Sequence, residues 1–318
     1  MMVVPWHESL KQILEQGISQ GRLGQTLLFE SDSSISGYDL SNWLVKRLLC
    51  QSESQIKPCG HCHSCHMIEA ATHPDRFEVT TETNTIGVDD IRELTDWSVQ
   101  RPRYGQAKVA LIMPADKLTV SAANALLKIL EEPNYQNYFI LIKPFQSALL
   151  PTIVSRTQRF VIPLPSQDEA VQWLKGNFHE MTSHDLLELL DWISDDPIEV
   201  QSFLSKNGLE VLRLFKKAID AVNAGQIELL QKTLEEHHYM LHWLGKIMIH
   251  SMQQKYLFSS DSQSKRLRSL SKQQLMTAYQ QYIQLSRNLK DNPSLNYSMQ
   301  LYPLLSKLIP RNGDSRAN

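Results

Sequence analysis

Short β-rich runs alternate with helical patterns in the first half of the chain, and this order limits the possible folds more than any other feature. Apolar residues recur at helical spacing between these runs, as at Leu40, Trp43, Leu44 and Leu48. Strands separated by helices predict a parallel sheet covered by helices. The predicted strands lie at residues 26–29, 76–80, 108–113, 138–142 and 159–164.

The sequence after Pro165 contains only helical patterns. Asp196 followed by Pro197 has the form of an N-cap with proline at the first helical position. A later apolar stripe ends at Gly225, which we interpret as a C-cap glycine. Further helices are predicted over residues 228–254 and 272–290, with a last one ending near residue 309 and containing Pro303.

Composition indicates two or three globular domains that act inside the cell. At about 100 to 200 residues per domain, the 318 residues are enough for several cores. No apolar run approaches the roughly 18 residues needed to span a bilayer, and residues 1–5 do not resemble an export signal. The formal net charge of -2 argues against a protein that binds nucleic acid alone. We interpret the basic cluster of Lys265, Arg266 and Arg268 as a solvated loop.

The four cysteines, Cys50, Cys59, Cys62 and Cys65, have the spacing C-x8-C-x2-C-x2-C. Tetrahedral zinc is commonly bound by four thiolates, and each C-x2-C turn can supply two. Disulfides are disfavoured in a reducing cytosol, and the polar loop around the cysteines argues against simple packing. The cluster therefore predicts a structural zinc site, because four protein ligands leave no open position. The histidines that could compete as ligands are His61, His63, His66 and His73.

The segment after the first strand lacks the residues of a phosphate-binding loop. In the pattern G-x4-G-K-[ST], glycine-rich backbone and a lysine surround the phosphates. Gly37 matches the second glycine, but Asp32, Tyr38 and Asp39 replace the first glycine, the lysine and the hydroxyl residue. The two carboxylates would also repel a triphosphate. We expect no ATP to bind at this loop.

The third predicted strand also lacks the acidic end that holds magnesium in ATPases. Asp116 is the nearest carboxylate and lies three residues beyond Met113. We interpret Asp116 as a loop or helix-entry residue. Because two separate catalytic elements are missing, the isolated chain is not expected to be an enzyme.

Three stretches resemble a known family. They are the run A-A-N-A-L-L-K-I-L-E-E-P at residues 122–133, the strand at 138–142 and the segment L-P-T-I-V-S-R-T at 150–157. Together they resemble the bacterial clamp-loader subunits of the AAA+ family, over nearly the whole chain and most strongly over residues 22–165. The altered nucleotide loop is similar to that of the family members that do not hydrolyse ATP.

The resemblance implies three domains. An α/β AAA+ (P-loop-like) domain is expected at residues 1–165, with the zinc module inserted at 50–65. A small helical lid is expected at 166–207, and an all-α C-terminal collar domain for oligomerisation at 208–318.

The resemblance also implies a role for Arg156 in the sequence Ser155-Arg156-Thr157. In the family, this arginine is a finger that reaches ATP bound by the neighbouring subunit. A guanidinium supplied in this way can stabilise charge on the transferred phosphoryl group. Thr157 replaces the usual cysteine of the motif. The alternative is an arginine paired on the protein surface.

Other polar residues near these motifs have less defined roles. Asn124 and Lys128 lie four residues apart and should share one helix face, which is either solvent-exposed or turned toward a subunit or DNA. Arg101, Arg103 and Lys108 are interpreted mainly as isolated surface cations.

The implied partners are the tau/gamma and delta subunits of a hetero-oligomer in the DNA polymerase III holoenzyme. Contact with the sliding clamp and primer–template DNA would occur through that complex, which has DNA-directed DNA polymerase activity. Zinc is the only cofactor expected. The alternatives are a divergent AAA+ ATPase with its own nucleotide site and a zinc-ribbon protein that binds nucleic acid alone.

Overall fold

The structure is a computed structural model that describes residues 4–31, 34–52, 57–81, 85–104, 107–134, 137–256, 267, 270–292 and 295–309. The chain divides into two compact units, Met1–Ala170 and Val171–Asn318. Asp32 and the basic residues Lys265, Arg266 and Arg268 lie outside the described residues. Within the described helices, none is both long and apolar enough to cross a membrane.

The first unit is built on one five-stranded sheet in which every pairing is parallel. The strand order is β2-β3-β4-β1-β5, so β1 lies inside the sheet. The five predicted strands are all present, with ends that differ from the predicted ones by at most three residues. They are β1 (Thr26–Glu30), β2 (Arg76–Val79), β3 (Lys108–Ile112), β4 (Asn137–Lys143) and β5 (Gln158–Val161).

Helices connect the strands of the first unit. The boundary between the two units falls inside the last of these helices, after Ala170. These helices are α1 (Glu8–Ser19), α2 (Ser34–Leu49), α3 (His63–Glu69), α4 (Val88–Ser98), α5 (Val120–Glu131), α6 (Pro151–Val154) and α7 (Gln167–Lys175).

Each face of the sheet packs against its own set of helices. Val109 and Leu111 of β3 belong to a core with residues of α1 and α2, whereas Ala110 and Ile112 belong to a core with residues of α4 and α5. This alternation follows from the two-residue period of a strand. Because both faces are buried, the central strands are almost continuously apolar, as is typical of covered parallel sheets.

The second unit contains only helices among its described residues. They are α8 (Ser183–Trp192), α9 (Pro197–Phe203), α10 (Leu209–Asn223), α11 (Glu228–Glu236), α12 (Met240–Tyr256), α13 (Lys272–Asp291) and α14 (Tyr297–Leu305). Aromatic rings help to form its core: Phe215 contacts Trp192 and Trp243 edge-to-face, at centroid distances of 6.2 and 5.4 Å. Such pairs stabilise a core beyond their buried area.

Two helix-end predictions in this unit are confirmed. The Asp196 side chain accepts a hydrogen bond from the Ile198 amide, with Pro197 at the start of α9. Gly225 follows the end of α10 with a φ of 81°, a left-handed conformation that favours glycine.

The prediction of one continuous helix over residues 228–254 is wrong. The chain leaves the helical path between α11 and α12, at His237 to Tyr239. His238 stacks on Tyr297 of α14 with 3.9 Å between ring centroids, and Tyr239 contacts Trp243 edge-to-face. The His238–Tyr297 stack joins residues far apart in the chain, and tertiary contacts of this kind outweigh local helix propensity. The last helix also ends earlier than predicted, at Leu305, with Pro303 inside it.

Candidate functional site

The four cysteine sulfurs meet at one point, as the spacing predicted. All four lie within 4.8 Å of one another. Cys50 directly follows the last residue of α2, and Cys62 is the N-cap of α3. The cluster therefore connects the end of one helix to the start of another.

Backbone amides in the cysteine loop point at the sulfurs. The amides of Cys59, Cys62 and Cys65 donate to the sulfurs of Cys50, Cys59 and Cys62 over 3.4, 3.3 and 3.5 Å. Gly60 has a φ of 75°, which lets the loop turn tightly between Cys59 and Cys62. Hydrogen bonding, first from the backbone at His61, lowers the pKa of the Cys59 thiol to about 6, whereas burial raises that of Cys65.

This donor set fits a metal ion. Four thiol groups at mutual contact distance, with amides that stabilise negative sulfur, match a tetrahedral thiolate site. Of the neighbouring histidines, His61 donates from Nδ1 to the Cys59 carbonyl over 2.8 Å, and the ring of buried His73 lies 3.1 Å from the Ser64 hydroxyl. The candidate metal group consists of the four cysteines alone among the described residues.

The helix after β1, α2, begins at Ser34, three residues before Gly37. Gly37 therefore lies inside α2, where a Cβ would approach the Ile142 side chain of β4 to 2.7 Å. Real Cβ atoms do not come that close to a neighbour without displacing it. Gly37 thus allows the helix to pack closely on the sheet.

The two described residues that replace the phosphate-loop lysine and hydroxyl have protein contacts instead. Tyr38 donates to Glu78 over 3.2 Å and accepts from Arg76 over 3.1 Å, and Arg76 also pairs with Glu78. Asp39 lies 3.8 Å from the ring of the buried His7. Asp116 lies in a short 3-10 turn, Ala115–Lys117, in agreement with its interpretation as a loop residue.

A charged cluster at the carboxyl end of β1 was missed by the sequence analysis. Buried Glu30 accepts from Lys143 over 2.9 Å and from Arg159 over 2.7 Å. Burial alone would raise the pKa of Glu30, but the hydrogen bonds from the two cations lower it overall. A carboxylate at the end of an apolar strand indicates a buried charge that needs a cationic partner. The partners of Glu30 could not be predicted, because they lie more than 100 residues away in the sequence.

Arg156 follows α6 and lies at the surface, with its side chain 37% exposed. Its guanidinium donates to the Thr152 carbonyl over 2.9 Å and to the Glu131 carboxylate over 2.8 Å. Ser155 and Thr157 use their hydroxyls locally, donating to backbone carbonyls of α6 over 3.0 and 2.9 Å. The motif therefore presents the arginine on a short, hydrogen-bonded turn.

The structure corrects one interpretation of the remaining cations. Lys108 is not a surface residue: it is 2% exposed, and its ammonium lies 4.1 Å from the Trp97 ring centre and donates to the Gln100 carbonyl over 3.1 Å. Carbonyls and the ring replace the water that the charge loses. Asn124 and Lys128 are both exposed on α5, and their spacing of four residues places them on one helix face.

The comparisons with known proteins identify the family. A profile described as "DNA polymerase III, delta subunit" matches residues 6–166, just over half of the chain. The delta′ subunit of DNA polymerase III from Haemophilus influenzae is 36% identical over 173 residues, which cover 54% of this chain and 53% of that protein. The chain belongs to the DNA polymerase III delta′ family.

A second delta′ relative extends the match into the helical unit. The Escherichia coli subunit is 31% identical over 253 residues, covering 78% of this chain and 75% of that protein. With the Haemophilus relative, by contrast, the match spans only about half of the relative's length, at 53%. A solved DNA polymerase III gamma-subunit-related protein from Thermotoga maritima aligns over 95% of this chain and 97% of its own, with TM-score 0.49 and 20% identity.

Proposed function

We propose that this chain is a non-catalytic subunit of a bacterial clamp loader, which supplies Arg156 to ATP bound by a neighbouring tau/gamma subunit. In that role it would form a hetero-oligomer with tau/gamma and delta subunits. The assembly would open the sliding clamp and place it on primed DNA during replication. We further propose that the first unit is an AAA+ domain and the helical part a lid at 166–207 and a collar at 208–318, in a cytoplasmic complex.

The observation that supports this proposal most directly is that the first unit displays an exposed arginine but has protein contacts where a phosphate-binding loop would lie. Arg156 presents an exposed guanidinium from a fixed turn. The segment where the chain's own phosphates would bind instead begins a helix at Ser34, with Tyr38 and Asp39 engaged by protein groups. A chain with a displayed arginine and no matching nucleotide loop fits a subunit that acts on a neighbour's ATP.

The pairing of Lys143 with protein groups at the carboxyl end of β4 also supports the proposal that this chain does not bind ATP itself. A triphosphate needs free cations, but Lys143 donates to Glu30 and to the carbonyls of Pro144 and Ser147 over 3.1 and 2.9 Å. Its side chain is 5% exposed. Lys143 is therefore already neutralised by the protein.

We propose that the metal held by the four cysteines is zinc, in a structural role. The thiolates of Cys50, Cys59, Cys62 and Cys65 would hold it, and bound zinc would link the end of α2 to the start of α3. Soft sulfur ligands favour zinc over magnesium or calcium. With four protein ligands no position would remain for substrate.

Reconstitution of clamp loading tests the proposed function. Purified chain is mixed with tau/gamma and delta subunits, sliding clamp, primed DNA and ATP, and clamp retained on DNA is measured. We expect loading to require all three kinds of subunit. Equal loading without this chain would contradict the proposal.

The alternative of an ATPase with its own nucleotide site is tested by isothermal titration of the isolated chain with ATP and magnesium. We expect no binding in the micromolar range and no turnover. A zinc-ribbon protein acting alone would instead bind DNA as an isolated chain, with affinity that falls steeply as salt rises.

A further inference from the structure

The Arg156 side chain is fixed by two acceptors from different parts of the fold. One is the Thr152 carbonyl, four residues earlier in the same turn, at 2.9 Å. The other is the Glu131 carboxylate of α5, at 2.8 Å. Each bond uses a different terminal nitrogen of the guanidinium, so the two contacts together orient its plane.

The turn that holds Arg156 is itself anchored. The Arg156 amide donates to the Ile153 carbonyl over 3.0 Å, and Ile153 is fully buried in the core that includes α5 residues. The backbone of Arg156 is therefore set by the core. Its long side chain has rotamer freedom that only Glu131 and Thr152 restrict in the described contacts.

Glu131 is placed at a position that local helix physics does not favour. It is the last residue of α5, where the partial negative charge of the helix end repels a carboxylate. The Arg156 guanidinium offsets this repulsion at 2.8 Å. The contact with Arg156 therefore stabilises a carboxylate at a helix end that would otherwise repel it.

Pairing with Glu131 leaves Arg156 able to bind a further anion. A guanidinium has five N–H donors, and the two contacts use two of them. The side chain is 37% exposed, so remaining donors can reach an anion outside the chain. Binding to Glu131 and to a phosphate oxygen of a neighbour can therefore occur together.

We propose that Glu131 is a positioning residue for Arg156, holding the guanidinium in the orientation that receives a phosphate oxygen of nucleotide bound by the adjacent subunit. The inference rests on the proposed function of Arg156. Glu131 acts through Arg156 and does not contact the nucleotide. Without its carboxylate, the arginine samples other rotamers and meets the phosphate less often.

The test compares Glu131→Gln with Glu132→Gln in the reconstituted assembly, measuring ATP turnover with clamp and primed DNA. Glu132 is the matched control because it is the next residue, exposed, and loses the same charge. We expect Glu131→Gln to lower turnover about two- to fivefold, the range for loss of an exposed ion pair, and Glu132→Gln to match the wild type. The ATP concentration at half-maximal turnover should change less than the maximal rate.

A double-substitution cycle separates positioning from a general structural effect. In an Arg156→Ala background, Glu131→Gln should cause no further loss, because the residue through which it acts is gone. Glu131→Asp, which keeps the charge, should recover part of the rate. Thermal unfolding of each variant should remain close to the wild type.

The outcomes distinguish this inference from the proposed function. Reduced turnover in Arg156→Ala with normal or faster turnover in Glu131→Gln overturns the positioning role and leaves the finger in place. Normal turnover in Arg156→Ala overturns both. A further loss from Glu131→Gln in the Arg156→Ala background shows that Glu131 acts by another route.

Discussion

Gly37 offers a test of whether a glycine inside α2 serves the packing of that helix on the sheet. It lies in the interior of α2, where alanine would normally stabilise a helix by about 1 kcal/mol relative to glycine. The added Cβ would, however, lie 2.7 Å from a methyl group of Ile142, which is buried and β-branched. Overpacking of this kind costs about 1–3 kcal/mol.

The two effects oppose each other, so Gly37→Ala should destabilise the first unit by up to about 2 kcal/mol. Gly17 in α1 is the matched control, because its added Cβ would meet Leu23 at 3.6 Å, an ordinary contact. Gly17→Ala should therefore stabilise the same unit by about 0.5–1 kcal/mol.

The assay is urea unfolding of the full chain, followed by far-ultraviolet circular dichroism, with both variants compared with the wild type. The midpoint should fall for Gly37→Ala and rise for Gly17→Ala. If both midpoints rise equally, α2 does not pack on β4 as closely as the structure shows, and the packing explanation for Gly37 is wrong.

Two further predictions concern the other groups of the first unit. Cys62→Ser should lower the zinc content well below one ion per chain and lower the melting temperature, because metal binding is coupled to folding. Any loss of clamp-loading activity should follow from this lower stability and not from a direct role of the metal. An unchanged melting temperature in the zinc-free variant would contradict this. Glu30→Gln should cost about 3 kcal/mol at pH 7, since it removes the carboxylate that pairs with buried Lys143. The pKa of Glu30 is lower in the folded chain than its ordinary value of 4.5, so the ionised carboxylate stabilises the fold fully above pH 4.5 and loses this effect as the pH falls toward the lowered pKa. The difference in unfolding free energy between wild type and Glu30→Gln should therefore shrink at low pH. A difference that is the same at pH 7 and pH 3 would show that it does not come from the Glu30 charge.

Local patterns were sufficient to predict much of the fold. All five strands, the Asp196 cap and the C-cap role of Gly225 follow from periodicity and from the backbone preferences of single residues. The meeting of the cysteines follows from their short spacing, which lets one loop bring the sulfurs together. These features depend on residues close in the chain.

The features that were missed depend on contacts in the folded units that no local residue pattern reveals. The break before α12 is associated with stacking of His238 on Tyr297, and no helical period reveals that contact. The burial of Lys108 depends on Trp97 and nearby carbonyls in the folded unit. The Glu131–Arg156 contact likewise joins two motifs that were interpreted separately.

The measurement that tests the account most directly is ATP turnover by the reconstituted assembly containing Arg156→Ala, with clamp and primed DNA present. Arg156 is exposed and its two side-chain contacts lie at the surface, so the variant should fold and assemble with tau/gamma and delta subunits. We predict normal assembly and DNA-stimulated turnover reduced at least tenfold, a conservative expectation for loss of an arginine finger (about 10³–10⁵) when other subunits still contribute. Normal assembly with unchanged turnover would contradict the central claim.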